Sequence, residues 1–348
     1  MLRTPLCDLL GIEHPIMLAG MGGVSYSEVA AAVSEAGGFG CLGAAGMSYE
    51  EMTQEIRAVK AKTKKPFGVD LLTASPRDMV PFVETICEEG ARAFVAGLGV
   101  PAKVVDLCHR NGVLVVNMCG KVSHAIRAVE AGCDIVVAQG TEAGGHTGQI
   151  ATLPLVPMIA DVVNVPVVAA GGIFDGRGLA GQLAVGASGV AMGTRFLMTK
   201  DSAVADIAKD RYLEASVTDT IVTRAIDGAP QRVIRTPLID RLEKAKFLAL
   251  PKAAANALRF RKMTGTSFAS LLKEGLAMKK SQDLSWAQMA MAANAPMMTK
   301  AAIVDGHLEV GILPTGQGVG AIDDLPTCQE LIDRIVAQTI EQLDRLCR

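Results

Sequence analysis

Short apolar runs recur along the first 214 residues, each followed by a stretch in which apolar positions return every third or fourth residue. Residues 15–19, 39–44, 67–72, 93–98, 113–118, 134–138, 165–170 and 189–192 read as strands buried on both faces. Residues 25–36, 48–62, 76–89, 101–110, 122–131, 153–163, 176–185 and 202–214 carry the helical spacing. The unit repeats roughly every 25 residues, the alternation of parallel strands joined by crossover helices. Eight such units close a ring, so the pattern predicts an α/β chain of (β/α)8 type. Ser25 with Glu28, and Ser48 with Glu51, have the spacing of a capping box at a helix start. Gly37, Gly90, Gly112 and Gly132 stand where helices should stop.

From residue 215 the rhythm changes. Residues 220–225 and 231–235 flank the turn Asp227-Gly228-Ala229-Pro230 and predict a short hairpin, after which a largely helical stretch runs to about Ala295. Residues 328–346 read as an amphipathic helix that folds back on the barrel. The expected division is a barrel formed by 1–214 and 302–348, with 215–301 as a smaller, mainly helical insertion on the substrate side. Between Arg232 and Lys280 there are 12 Lys/Arg and 3 Asp/Glu, a net charge of +9. Such a segment is either a solvated basic face or a landing surface for a polyanionic handle such as coenzyme A or an acidic carrier protein.

Half of the 348 residues are apolar, a fifth are charged, and the formal net charge is −2, a balance that selects neither a nucleic-acid nor a membrane partner. Arg3, Asp8 and Glu13 interrupt the N-terminal apolar pieces, and no run approaches the roughly 18 residues that span a bilayer. These features lead us to expect a soluble, cytoplasmic protein, and a homo-oligomer is compatible with them. Eight cysteines lack any C-x-x-C or Cys/His zinc spacing, so they read as buried thiols, with no metal site expected.

Glycines concentrate where strands should end. Gly171-Gly172 follows the seventh run and Gly193-Thr194-Arg195 the eighth, so bare main-chain N–H groups on neighbouring strands could meet a phosphate. Ala19-Gly20-Met21-Gly22-Gly23 ends the first run, and Thr315-Gly316-Gln317-Gly318 lies in the C-terminal region. The sixth run ends in Gln139 and leads through Glu142-Ala143-Gly144-Gly145 to His146. An imidazole there, between glycines that permit close backbone approach, is placed to move a proton at carbon. His14, His109, His124 and His307 have no comparable setting and read as structural. Two G-x-G-x-x-G strings, at 38–43 and 176–181, lack the context of a dinucleotide site: one follows a helix, and the other starts late, without an acid at the next strand's tip.

The strings Glu142-Ala143-Gly144-Gly145-His146 and Ala169-Ala170-Gly171-Gly172-Ile173, with Pro15 to Gly23, Pro66 to Leu72, Gly193 to Phe196 and Gly316-Gln317, resemble the nitronate monooxygenase family over almost the whole chain. That family also contains enoyl-acyl-carrier-protein and quinone reductases. The resemblance implies a TIM barrel holding FMN. It implies that Gly171, Gly172, Gly193 and Thr194 bind the phosphate, that Met21, Gly22, Gln139, Gly144 and Gly145 line the ribityl chain and ring, that Gln317 closes over the ring, and that His146 is catalytic. Asp70 stands beside the flavin where many members carry asparagine, and a charged acid there disfavours an anionic reduced flavin.

The leading expectation is therefore an FMN-dependent oxidoreductase that oxidises alkyl nitronates with dioxygen. The alternatives are a flavoenzyme acting at the α,β carbons of a coenzyme A or carrier-protein thioester, which Asp70 and the +9 segment favour, and an NAD(P)H:quinone reductase. From a different class comes a non-enzymatic FMN-binding protein that keeps the barrel.

Overall fold

The computed structural model describes residues 2–73, 78–97, 99–244 and 298–347. Among these, eight parallel strands form the predicted ring: β1 (Ile16–Leu18), β2 (Gly40–Gly43), β3 (Phe67–Leu72), β4 (Ala93–Gly97), β5 (Leu114–Cys119), β6 (Ile135–Gln139), then β8 (Val167–Ala170) and β9 (Gly189–Met192) after a two-residue strand, β7 (Gly145–His146), in the intervening loop. The order is β1-β9-β8-β6-β5-β4-β3-β2, and the Met17–Phe39 bridge brings the two ends together, so the molecule is a TIM barrel. Val, Ile and Ala dominate these strands because each faces the barrel interior on one side and a helix layer on the other; Val69, Phe94, Val115, Val136, Val168 and Val190 are fully buried.

The outer layer consists of α1 (Pro5–Leu10), α2 (Ser27–Glu35), α3 (Tyr49–Lys62), α4 (Val80–Glu88), α5 (Ala102–Arg110), α6 (Val122–Glu130), α7 (Thr152–Ala160), α8 (Gly176–Ala184), α9 (Thr194–Leu197) and α10 (Asp206–Leu213). Ser48 and Glu51 form the expected capping box at α3. The one expected at Ser25 and Glu28 does not form. Ser25 Oγ instead accepts the Met21 amide at 2.8 Å, and α2 begins two residues later with the Ser27 N–H donating to Glu55 Oε2 at 2.9 Å. The tight turn after β1 outcompeted the local capping geometry.

Beyond the barrel, β10 (Thr220–Thr223) and β11 (Gln231–Ile234) make the predicted hairpin, and α11 (Pro237–Lys244) follows. Residues 245–297 of the expected insertion lie outside the described residues. The C-terminal helix, Cys328–Leu346, starts at a Thr327/Glu330 capping box and buries Leu331, Ile332 and Ile335 against α8 and α2. Buried Arg195 ties the segment before it to the barrel by donating to the Asp324 carboxylate at 3.0 Å and the Asp324 carbonyl at 2.9 Å. The eight cysteines are free thiols; Cys87 is half-buried, Cys347 is exposed and the others are buried. No described helix is long and apolar enough to cross a membrane.

Glycine at two predicted motif positions serves packing. A Cβ on Gly40 would lie 1.9 Å from the Ala30 carbonyl oxygen, and one on Gly176 would lie 2.4 Å from the Ile335 carbonyl oxygen in the C-terminal helix. Both contacts are with backbone, which cannot rotate away. Gly176→Ala is therefore expected to push the C-terminal helix off α8 at a cost of about 1–3 kcal/mol. Thermal unfolding should show a Tm lower by several degrees, and an unchanged Tm would refute the close-packing account.

Asp70, on β3, is half-buried against the end of β1, where a side chain on Gly20 would collide with it at 2.2 Å. No described residue hydrogen-bonds to its carboxyl, and burial pushes its pKa up to about 7. Between about pH 4 and 7 the folded chain then holds a proton that the unfolded chain has released, so stability falls as pH rises through that window. Asp70→Asn should remove that slope, gaining on the natural protein by roughly 1–4 kcal/mol between pH 5 and pH 8. Urea-unfolding midpoints of both proteins at the two pH values measure it; parallel pH profiles would sink the idea.

Candidate active site

The carboxyl ends of the strands open on one mouth, and the glycine clusters meet there. Gly171 and Gly172, with φ of +120° and +69°, take up conformations that disfavour other residues and turn the chain sharply as it leaves β8. Among the described residues, none accepts a hydrogen bond from the main-chain N–H of Gly171, Gly172, Gly193 or Thr194. Four amides at the ends of two adjacent strands thus have no partner among the described residues, a donor set suited to a phosphate.

The loop after β6 folds across this cradle. A Cβ on Gly171 would lie 3.2 Å from the Ala143 nitrogen, and one on Gly172 would lie 3.1 Å from Glu142 Cβ. Glu142 is fixed by both the N–H and the Oγ1 of Thr152 at the start of α7, at 2.9 and 2.8 Å. The turn at 315–318 fits on top: the Gly316 N–H donates to Thr194 Oγ1 at 2.9 Å, and the Gln317 N–H to the Glu142 carbonyl at 2.9 Å. A Cβ on Gly144 would meet the Thr315 carbonyl carbon at 2.6 Å, which explains the glycine. Met21 reaches the same rim, its sulfur 3.2 Å from where a Cβ on Gly193 would stand.

The structure thus gathers Met21, Gln139, Gly144, Gly145, Gly171, Gly172, Gly193, Thr194 and Gln317 around one opening. Gly22 lies farther round it against Ala45, and Asp70 lies deeper, under Gly20. Gln139 has a visible structural duty, since its amide donates to the His146 carbonyl at 2.7 Å and braces the loop.

His146 sits on β7, held antiparallel to β11 with Gln231 directly opposite. The Thr147 N–H to Pro230 carbonyl bond, at 3.0 Å, continues the attachment. The imidazole is 44% exposed, and its Nε2 lies 2.7 Å from Asp227 Oδ2. Sequence reasoning read Asp227 only as a turn residue and Gln231 only as strand. No local signal could have paired them with His146, because the contact depends on hairpin register. Arg232 was counted only as charge; its guanidinium donates to the Thr141 carbonyl at 3.1 and 3.0 Å, fastening the hairpin to the loop after β6.

A family model described as nitronate monooxygenase matches residues 3–86 and 77–338. Over 346 residues the chain is 45% identical to the (3aS,4S,5R,7aS)-5-hydroxy-7a-methyl-1-oxo-octahydro-1H-indene-4-carboxyl-CoA dehydrogenase of Rhodococcus jostii, covering 99% of this chain and 98% of that protein. It is 32% identical over 289 residues to a probable nitronate monooxygenase of Staphylococcus saprophyticus, covering 70% of this chain and 81% of that one. The structure of FabK from Thermotoga maritima superimposes with a TM-score of 0.84 at 34% identity, covering 99% of each chain. Agreement with the family model over all but the two ends of the sequence makes this chain a member of the nitronate monooxygenase family and an oxidoreductase.

Proposed function

We propose that this chain holds FMN at the barrel mouth and dehydrogenates a coenzyme A thioester between its α and β carbons, with His146 as the base. The observation that carries the reading is the cradle of four amides, Gly171, Gly172, Gly193 and Thr194, that have no partner among the described residues and against which the histidine-bearing loop is folded. A phosphate monoester fits that donor set. Met21, Gly22, Gln139, Gly144 and Gly145 are assigned to the ribityl chain and ring, and Gln317 to the cover. Burial keeps the Asp70 carboxyl largely protonated below about pH 7, so there it adds little negative charge beneath them.

Bound FMN supplies the two-electron acceptor for the hydride that leaves the β carbon. His146 takes the α proton, and the two departures leave a carbon–carbon double bond conjugated to the thioester carbonyl. The glycine loop and the 315–318 turn shield that exchange from water by closing over the cradle. We favour this substrate class over an alkyl nitronate for two reasons. The similarity to the Rhodococcus CoA-ester dehydrogenase runs the full length at 45%, whereas that to the staphylococcal protein covers 70% of the chain at 32%. The +9 segment between Arg232 and Lys280 also offers charge to a substrate that carries phosphates.

Two measurements test the reading. Mixed anaerobically with the FMN-loaded protein, a cyclic acyl-CoA should bleach the oxidised-flavin absorption and an alkyl nitronate should not; bleaching by the nitronate alone would overturn the substrate assignment. His146→Ala should keep its yellow colour through gel filtration yet turn over acyl-CoA about 10²- to 10⁴-fold more slowly. Undiminished turnover would remove the imidazole from the chemistry.

A further inference from the structure

The carboxylate behind His146 lies outside the strands and loops that make the barrel, and its surroundings are more specific than a turn requires. Asp227 lies in the turn between β10 and β11 with its side chain only 9% exposed. Oδ1 accepts the Ala229 N–H at 3.0 Å, which fixes the carboxylate within its own turn. Oδ2 lies 2.7 Å from His146 Nε2 and also accepts from Gln231 Nε2. Gln231 stands opposite His146 in the β7–β11 ladder, so register brings these two together, and the turn places Asp227 against both.

The hydrogen-bond inventory decides the tautomer. A carboxylate only accepts, so the short contact requires the proton on Nε2. The Gln231 amide nitrogen also lies 3.2 Å from Nε2, but two donors cannot bond to each other, so its hydrogen goes to Asp227. The opposite tautomer would set the Nε2 lone pair against the carboxylate at 2.7 Å, a repulsive arrangement. Nδ1 is then left with the lone pair, and no described residue hydrogen-bonds to it.

Building on the reading of His146 as the base, we infer that Asp227 is its positioning residue: from the hairpin it locks the imidazole in the tautomer whose Nδ1 accepts the substrate proton, with Gln231 holding the carboxylate in place. Asp227 also stabilises the imidazolium that forms once the proton has moved.

The test uses full-length, FMN-loaded protein and a cyclic acyl-CoA that the natural protein turns over. Asp227→Asn is expected to lower kcat by about 10²-fold or more while KM stays within about threefold and FMN is retained. Asp227→Glu, which keeps a carboxylate, should recover part of the loss. In ¹⁵N spectra of histidine-labelled protein, with the His146 signals identified by their absence from His146→Ala, the natural protein should show a protonated Nε2 and an unprotonated Nδ1. Asp227→Asn should show a mixture of tautomers. If His146→Ala is slow but Asp227→Asn keeps both natural kcat and the natural tautomer, the role of Asp227 is refuted and the base stands. If His146→Ala turns over normally, the base itself is wrong and this inference falls with it.

Discussion

Main-chain N–H groups that find no acceptor within a fold must be satisfied from outside it, and that constraint organises the mouth of this barrel. The strands β8 and β9 stop at glycines, leaving the amides of Gly171, Gly172, Gly193 and Thr194 without a partner among the described residues. What lies around them is arranged to keep that donor set in place. The loop after β6 touches Gly171 and Gly172, and Glu142 clamps that loop to α7. The turn at 315–318 bonds to both Thr194 and Glu142. The missing side chain at Gly144 lets backbone approach backbone, and the one at Gly193 leaves space for the Met21 side chain, so the glycines serve contact as much as flexibility.

Half-buried Asp70 and buried Arg195 show how the same barrel treats ionisable groups in opposite ways. Arg195 keeps its charge because the carboxylate and carbonyl of Asp324 meet it directly, and the contact fastens the C-terminal segment to the end of β9. Asp70 has no such partner among the described residues, and desolvation raises its pKa to about 7, favouring the protonated acid. One group therefore supports the architecture, while the other keeps a largely neutral acid at the barrel mouth at moderately acidic pH.

The strands were legible in the sequence because a parallel strand covered on both faces is apolar throughout, and Phe67–Leu72 and Gly189–Met192 have the bounds their runs predict. The histidine loop and the strand-end glycines were legible because strand ends are where glycine has a reason to cluster. Ser25 misled, since a serine three residues before a glutamate can equally serve a preceding turn, as it does with Met21. The hairpin was visible in Asp227-Gly228, but its purpose was not. The contact between Asp227 and His146 spans 81 residues and exists only through a two-residue strand too short to leave a periodic signature.

That hairpin follows the eighth strand and helix pair instead of belonging to the repeat, yet its turn reaches the one imidazole exposed at the mouth. Barrel packing and the carboxylate partner of His146 are thus encoded in separate stretches of sequence. Within the 220–234 hairpin, Asp227 and Gln231 contact the histidine while taking no part in the apolar core of the ring. A lineage built on this plan can therefore vary the surroundings of its histidine while conserving the glycine ends of β8 and β9.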